Sequence, residues 1–327
     1  LRVLQAAMKR KAKLLFHSPC FDGIASAVLA SDYLRNHAHW DDIECASVNY
    51  GARDQWLSTT FDAPTAVVDF LYHPDAFFWA DHHRSAFLTR EARIDFERRD
   101  PESAIYDAGS DSCAGLLWRT FDERSGYRNE SFAELVRWAE KIDAARYESV
   151  DEALSFSHPA LQISASLAVA PGGHSERLVQ ALATHSLAEV SEMPWVHEFF
   201  LDFASSMAEG LARFEASACL RDDMVIFDVD GRGVVVPRYA PYRFYPRARY
   251  SIGVIHHDSG AKITAMRNPW MDFESVPLGD IFAPFGGGGH QRVASVFVPE
   301  DVDAQARLSE IVSAVAAADR GSMVAAR

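Results

Sequence analysis

The sequence has no apolar run long enough to cross a bilayer, no paired-cysteine spacing, no low-complexity tract and no excess of positive charge. Each absence excludes a class of protein. A membrane helix needs about 20 consecutive, mostly apolar residues, so no membrane partner is expected. The four cysteines (Cys20, Cys45, Cys113 and Cys219) are too widely spaced for a disulfide framework or a CxxC zinc site. The formal charge of −14 opposes the many phosphate contacts that long nucleic acid demands, so no long duplex partner is expected. A local basic pocket for a short anionic ligand stays open. The basic stretch Leu1 to Lys13 runs into a polar motif, without the apolar segment and cleavage site of a signal peptide, so a cytoplasmic location is expected.

What is present is enough for folded cores. The chain has 327 residues, 48% of them apolar, which sets a prior of two domains. The first half alternates strand-like and helix-like segments. Strands are expected at Lys13–Phe16, Ile43–Val48, Thr65–Phe70 and Phe77–Ala80. Helices are expected at Ile24–Leu34, Ala114–Phe121 and Phe132–Ile142. That alternation predicts an α/β fold with a doubly wound, mostly parallel sheet. From Leu161 to Leu220 the spacing is helical, with one long helix over Trp195–Leu211. Strands return at Met224–Phe227, Gly233–Pro237, Tyr250–His256 and Lys262–Met266, and a helix covers Val302–Ala318. The expected division is a domain over 1–190, a helical linker over 191–221 and a smaller α/β domain over 222–327.

Polar, metal-competent residues gather at the ends of these apolar runs. Asp81-His82-His83 closes the run Phe77-Phe78-Trp79-Ala80. His17, Cys20 and Asp22 follow the first strand, with Gly23 permitting a tight turn into the next helix. Asp69 ends Val67-Val68, and Asp143 ends the helix that runs to Ile142. Open α/β sheets bind ligands along the carboxyl edge of their strands. Taken singly, each residue has an ordinary explanation as a turn, a cap or a surface acid. Four such coincidences at the right ends of the right elements are much rarer. Carboxylates with imidazoles suit manganese or a similar divalent ion. Two such ions are the usual device for phosphoryl-ester hydrolysis, one activating water while both clamp the developing charge.

A second cluster lies near the carboxyl terminus. Gly286 to Gly289 are four consecutive glycines followed by His290. Such a run implies unusual backbone angles or close approach to a ligand. Its amides can form an anion-binding nest, and His290 and Arg267 can add charge-assisted bonds to a phosphate. A hinge is the alternative reading. Tyr239 to Tyr250 interleaves Tyr and Arg, which suits either base stacking or an ordinary connection, the connection being favoured.

These residues resemble the DHH superfamily of phosphoesterases. Asp81-His82-His83 matches the signature that names it; His17 to Gly23, Asp69 and Asp143 resemble its first, second and fourth motifs. Arg267 with Phe285 to His290 resembles the glycine-rich signature of the DHH-associated carboxyl-terminal domain. The resemblance implies two manganese ions in a cleft between a larger and a smaller domain. His17, Cys20 and Asp69 would hold one ion. Asp22, Asp69, His82 and Asp143 would hold the other. Asp81 would orient a ligand and His83 would face the substrate phosphate, as the catalytic pair. Arg267, Gly287, Gly288, Gly289 and His290 would bind the substrate.

Cys20 departs from the family pattern, which has aspartate there in most members. A thiolate would shift preference towards Zn2+ or Fe2+. Alternatively Cys20 is a small buried residue beside a one-metal site. The leading expectation is a metal-dependent phosphodiesterase acting on short oligonucleotides or dinucleotides by metal-activated water, similar to nanoRNase-type members. The alternatives are a pyrophosphate or polyphosphate hydrolase, and a nucleotide-binding protein whose catalysis Cys20 impairs. The expected partner is a short nucleotide or another small phosphorylated substrate. A homodimer is compatible with the sequence.

Overall fold

The computed structural model describes residues 10–289 and 291–325. In chain order the elements are β1 (Lys11–His17), α1 (Phe21–Asn36), β2 (Asp42–Val48), β3 (Thr65–Val68), β4 (Phe78–Asp81), α2 (Arg90–Glu97) and β5 (Ala104–Tyr106). Then come α3 (Cys113–Ser125), α4 (Ala133–Asp143), α5 (Val150–Ser155), α6 (Pro159–Ser166), α7 (His174–Leu182), α8 (Leu187–Ser191) and α9 (Pro194–Ser217). The remainder is β6 (Cys219–Arg221), β7 (Met224–Asp230), α10 (Ala240–Phe244), β8 (Tyr250–His257), β9 (Gly260–Arg267), α11 (Leu278–Phe282), β10 (Gly288–Gly289), β11 (Val293–Val298) and α12 (Ala304–Ala325). Among the described residues no helix is long and apolar enough to cross a membrane.

The chain divides into two compact units. One comprises Leu1–Tyr147 and Phe156–Leu201; the other comprises Glu148–Ser155 and Asp202–Arg327. The second division falls inside α9, and the short segment holding α5 groups with the later residues.

Among the described residues, the sheet of the first unit has the order β2-β1-β3-β4-β5, every pair parallel. Strands β3 and β4 are buried along their whole length, as parallel strands covered on both faces must be. Side-chain alternation divides the core in two. Phe16, Ala66, Val68, Phe78 and Ala80 pack with α1, α3 and α4. Val67 and Trp79 pack on the other face with Trp56, Phe70, Leu71 and Tyr72. Helix α1 is buried almost all round, which fits its small apolar composition. The register aligns the strand ends. Phe16 pairs with Val68, and Val68 pairs with Ala80. The next residue on each strand is His17, Asp69 and Asp81, so the three stand in one row at the carboxyl edge.

The second unit has a mixed sheet of order β10-β11-β9-β8-β7-β6, parallel only between β7 and β8 among the described residues. Ile252, Val254, Ile263, Ala265 and Val296 pack against Ile311 and Val315 of α12. Phe214 of α9, Phe227 and Ala240 form a separate cluster. The expected strand over Gly233–Pro237 is absent. The chain there leans on α9: Val235 N–H donates to Ser206 Oγ at 2.9 Å, and a Cβ on Gly210 would lie 2.0 Å from the Val235 carbonyl oxygen. The sequence reading also missed β5 and β11. The Tyr-Arg segment is core: Tyr242 and Tyr250 are buried, and the Tyr242 hydroxyl donates to the Met266 carbonyl at 2.6 Å.

Candidate metal centre and active site

Asp69 is the middle of the row. It follows β3 in a left-handed conformation, φ 55°, which costs a non-glycine residue roughly 1–2 kcal/mol and which Asp tolerates better than most. Its amide donates to the Ala80 carbonyl at 2.9 Å, so β4 holds the bend in place. The carboxylate is completely buried. Gly23 lets α1 start against the end of β1. A Cβ there would lie 2.0 Å from the His17 carbonyl oxygen and 3.2 Å from Asp69 Oδ2. The requirement is therefore for close approach, not for an unusual backbone angle.

Three donor sets result, each with its atoms within 4.8 Å of one another: His17, Cys20 and Asp69; Asp22, His82 and Asp143; and Asp69, Asp81, His82 and His83. The structure thus brings together all eight amino-terminal residues singled out in the sequence. His82 Nε2 lies 3.7 Å from Asp22 Oδ2, 3.7 Å from Asp69 Oδ1 and 3.4 Å from Asp143 Oδ2. Asp22 also binds the start of α3, beside its cap Ser112: its two oxygens accept from the amides of Cys113 and Ala114 at 2.7 and 2.9 Å. Those amides are therefore already occupied. Asp81 Oδ1 accepts from the backbone N–H of His82 and from His83 Nδ1, both at 2.7 Å.

The electrostatics are those of crowded carboxylates. Burial pushes the Asp69 carboxyl far above its ordinary range, and Asp22, Asp81 and Asp143 push it further. Burial and then Asp22 raise Asp143 to about 6. Burial also raises Asp22, against the pull of His82 and the α3 amides. Burial and the neighbouring carboxylates raise the Cys20 thiol. Burial, then His83, lowers His17 to about 4. Burial opposes charge on His83, but the hydrogen bond and charge of Asp81 outweigh it and raise its pKa.

A divalent cation fits these residues. His17 Nδ1, both oxygens of Asp69, Asp81 Oδ2 and His82 Nε2 are buried without a hydrogen-bond partner. Each such atom costs about 1–3 kcal/mol, so an arrangement of five at one place needs a compensating charge. Among the described residues no Lys or Arg pairs with Asp22, Asp69, Asp81 or Asp143. The imidazole, carboxylate and thiol set suits manganese, with the thiol adding affinity for zinc or iron.

Sequence reasoning missed two participants. Tyr50, just past β2, packs its ring edge-on against His17 at 5.1 Å and is 36% exposed. The Ser110 carbonyl accepts from His82 Nδ1 at 3.0 Å. An aromatic two residues past a strand end hints at the first; a backbone carbonyl leaves no sequence signal.

In the second unit, the guanidinium of Arg267 is buried and donates to the carbonyls of Asn268, Met271 and Phe273. Gly288 and Gly289 form β10, and Gly287 precedes it. A Cβ on Gly287 would lie 2.7 Å from the Ser295 carbonyl oxygen. The glycine run thus lets the chain lie close against β11. His290 lies outside the described residues. A cavity of about 370 Å³ is lined by Phe227, Arg238, Lys262, Thr264, Gly288 and Gly289, among others.

No family model matches the sequence, and no curated protein matches it. Solved structures share the fold. The pGpG-specific phosphodiesterase PggH from Vibrio cholerae matches with a TM-score of 0.70 at 16% identity, over 94% of this chain and 99% of its own. RecJ from Thermus thermophilus, in complex with Mn2+, matches with 0.59 at 15% identity, over 95% of this chain and 52% of its own. This chain therefore spans about half of that protein's length. An exopolyphosphatase-related protein from Bacteroides fragilis matches with 0.54 at 10% identity, over 94% of this chain and 92% of its own. In this shared fold Asp81-His82-His83 stands at the end of β4.

Proposed function

We propose that the protein is a metal-dependent phosphodiesterase for short nucleotides. The observation that carries this is the convergence of five buried, unpartnered donor atoms among carboxylates that, among the described residues, no Lys or Arg pairs with. His17, Cys20 and Asp69 would hold one divalent ion, and Asp22, His82 and Asp143 a second, with Asp69 between them. Manganese is the proposed ion. Bound there, the metals supply an activated water and neutralise charge on the phosphoryl oxygens.

The chain's own groups do the rest. Asp81 accepts from His83 Nδ1 and so leaves Nε2 to face substrate. The raised pKa of His83 favours its charged form, which lets Nε2 donate to a phosphoryl or leaving oxygen. Asp81 also fixes the turn after β4 through the His82 amide, which keeps both imidazoles aimed.

The cavity of the second unit suits a nucleotide. Phe227 offers an apolar wall, and the exposed Arg238 and Lys262 offer cations for a phosphate. The Vibrio neighbour is named for a linear dinucleotide and matches almost end to end, so a dinucleotide is the proposed substrate class.

Hydrolysis of a 5′-phosphorylated diribonucleotide beside pyrophosphate, with Mn2+, with Zn2+ or with no metal, tests the proposal. Metal-dependent cleavage of the dinucleotide, lost in His82→Ala, is the expected result. Turnover of pyrophosphate alone would replace it with an anhydride hydrolase. Tight nucleotide binding without turnover in any metal would make it a binding protein.

A further inference from the structure

One segment, residues 107–114, contacts Asp22 and His82 of a single donor set and is tied to the helix that carries its third member, Asp143. The Ser110 carbonyl accepts from His82 Nδ1 at 3.0 Å. A carbonyl can only accept, so the proton sits on Nδ1. Nε2 then presents its lone pair towards Asp22, Asp69 and Asp143. The amides of Cys113 and Ala114 fix both oxygens of Asp22. Asp143 ends α4, and α4 is tied to the same segment from two sides. Arg119 donates to Glu140 Oε1 at 2.7 Å and to Ser110 Oγ at 3.0 Å. Arg146, just beyond α4, pairs with Asp111.

The segment is itself pinned. The Asp107 carboxylate accepts from the Gly109 amide at 2.9 Å and from Ser110 Oγ at 2.7 Å. Gly115 leaves room for Glu140: a Cβ there would lie 2.2 Å from Glu140 Oε1. Among the described residues no hydrogen bond joins this segment to His17, Cys20 or Asp69.

We infer that Asp107, Arg119 and Glu140 are positioning residues for the Asp22–His82–Asp143 set and not for the His17–Cys20–Asp69 set, fixing the His82 tautomer and the distance of α4 from it. The inference rests on the metal-dependent reading of the site. Groups that orient a metal-binding imidazole typically change affinity 10–100-fold when removed. The Arg119–Glu140 pair is itself substantially exposed, at 45% and 32% of its side chains, and such pairs add little to folding stability. A large effect on metal would therefore not be a folding effect.

The test is calorimetric titration of the full chain with Mn2+. In Arg119→Met and Asp107→Asn, one of two sites should loosen about tenfold or more, with the other site and the melting temperature unchanged. Gly115→Ala should reproduce this by displacing Glu140, and Arg119→Lys should restore part of the affinity. In an Asp143→Asn background the set is already broken, so Arg119→Met should add no further loss. Equal loosening of both sites, a loss that persists beside Asp143→Asn, or binding like wild type would overturn the inference. Wild-type protein that takes up no Mn2+ would overturn the metal-dependent reading itself, and this inference with it.

Discussion

His83 Nδ1 lies 2.7 Å from Asp81 Oδ1, and the other oxygen of that carboxylate is buried without a partner. The bond assigns the proton of Nδ1 and holds charge on the imidazole. Asp81→Asn keeps the shape but removes the charge. It should cut dinucleotide turnover by about 10²–10⁴, the usual worth of a positioned acid. His83→Gln should cost as much, and the double variant little more. Turnover of either single variant within a few-fold of wild type would remove the pair from the chemistry.

Metal uptake should release protons. Burial and neighbouring carboxylates raise Asp143 to about 6 and Asp69 well above its ordinary range in the metal-free protein. A carboxyl with a raised folded pKa stabilises the fold below its unfolded pKa and loses that contribution as pH rises through the folded value. For Asp143 the window runs from the ordinary carboxylate range to about 6. Mn2+ should therefore bind more weakly at pH 6 than at pH 8, and should raise the melting temperature more at pH 8. Calorimetry in buffers of different ionisation enthalpy measures the protons directly; zero release at pH 6 would contradict the donor assignment.

Tyr50 combines 36% exposure with a ring packed on His17, and burial pushes its hydroxyl up to about 12, so it stays neutral. On the proposed function, its exposed ring would stack a base. Base–aromatic stacking contributes about 1–3 kcal/mol, so Tyr50→Ala should raise KM for a dinucleotide roughly tenfold or more. Tyr50→Phe should change it little. KM for pyrophosphate, if it is turned over, should not respond. Equal effects on both substrates would make Tyr50 a support for His17 only.

Gly23→Ala places a methyl 2.0 Å from a carbonyl oxygen with no flexible atom to yield. Overpacking of this kind costs about 1–3 kcal/mol or more, and it should displace Asp22 as well. Thermal melting with and without Mn2+ separates the two effects. A variant that melts and binds metal like wild type would mean that α1 can back away from β1.

As a proposed ligand, Cys20 would set metal choice. Cys20→Asp should lower affinity for Zn2+ and leave Mn2+ equal or tighter, because the softer thiolate is gone. Competition between the two ions reads this out. Unchanged selectivity would mean that the thiol does not ligate.

Much of this was legible because parallel strands bury both faces. A run such as Thr65–Val68 followed by Asp69, or Phe78–Ala80 followed by Asp81, states where the strand ends and what it delivers. The doubly wound sheet followed from that alternation. Short elements carried no such signal: β5 has three residues, and β10 is two glycines. The valines of Gly233–Pro237 suggested a strand, but tertiary contact with α9 decided their conformation. The glycine run announced close approach without saying to what, and its neighbour proved to be β11. The Ser110 carbonyl and the Arg119–Glu140 tether were invisible, since they depend on which helices meet.

The chain passes between its two compact units three times, at Tyr147–Glu148, Ser155–Phe156 and Leu201–Asp202. No single cut separates them, because each owns a piece embedded in the other's stretch of sequence. Exchanging the second unit for another would therefore require joining the chain at three places rather than one. Asp143 sits only a few residues before the first crossing.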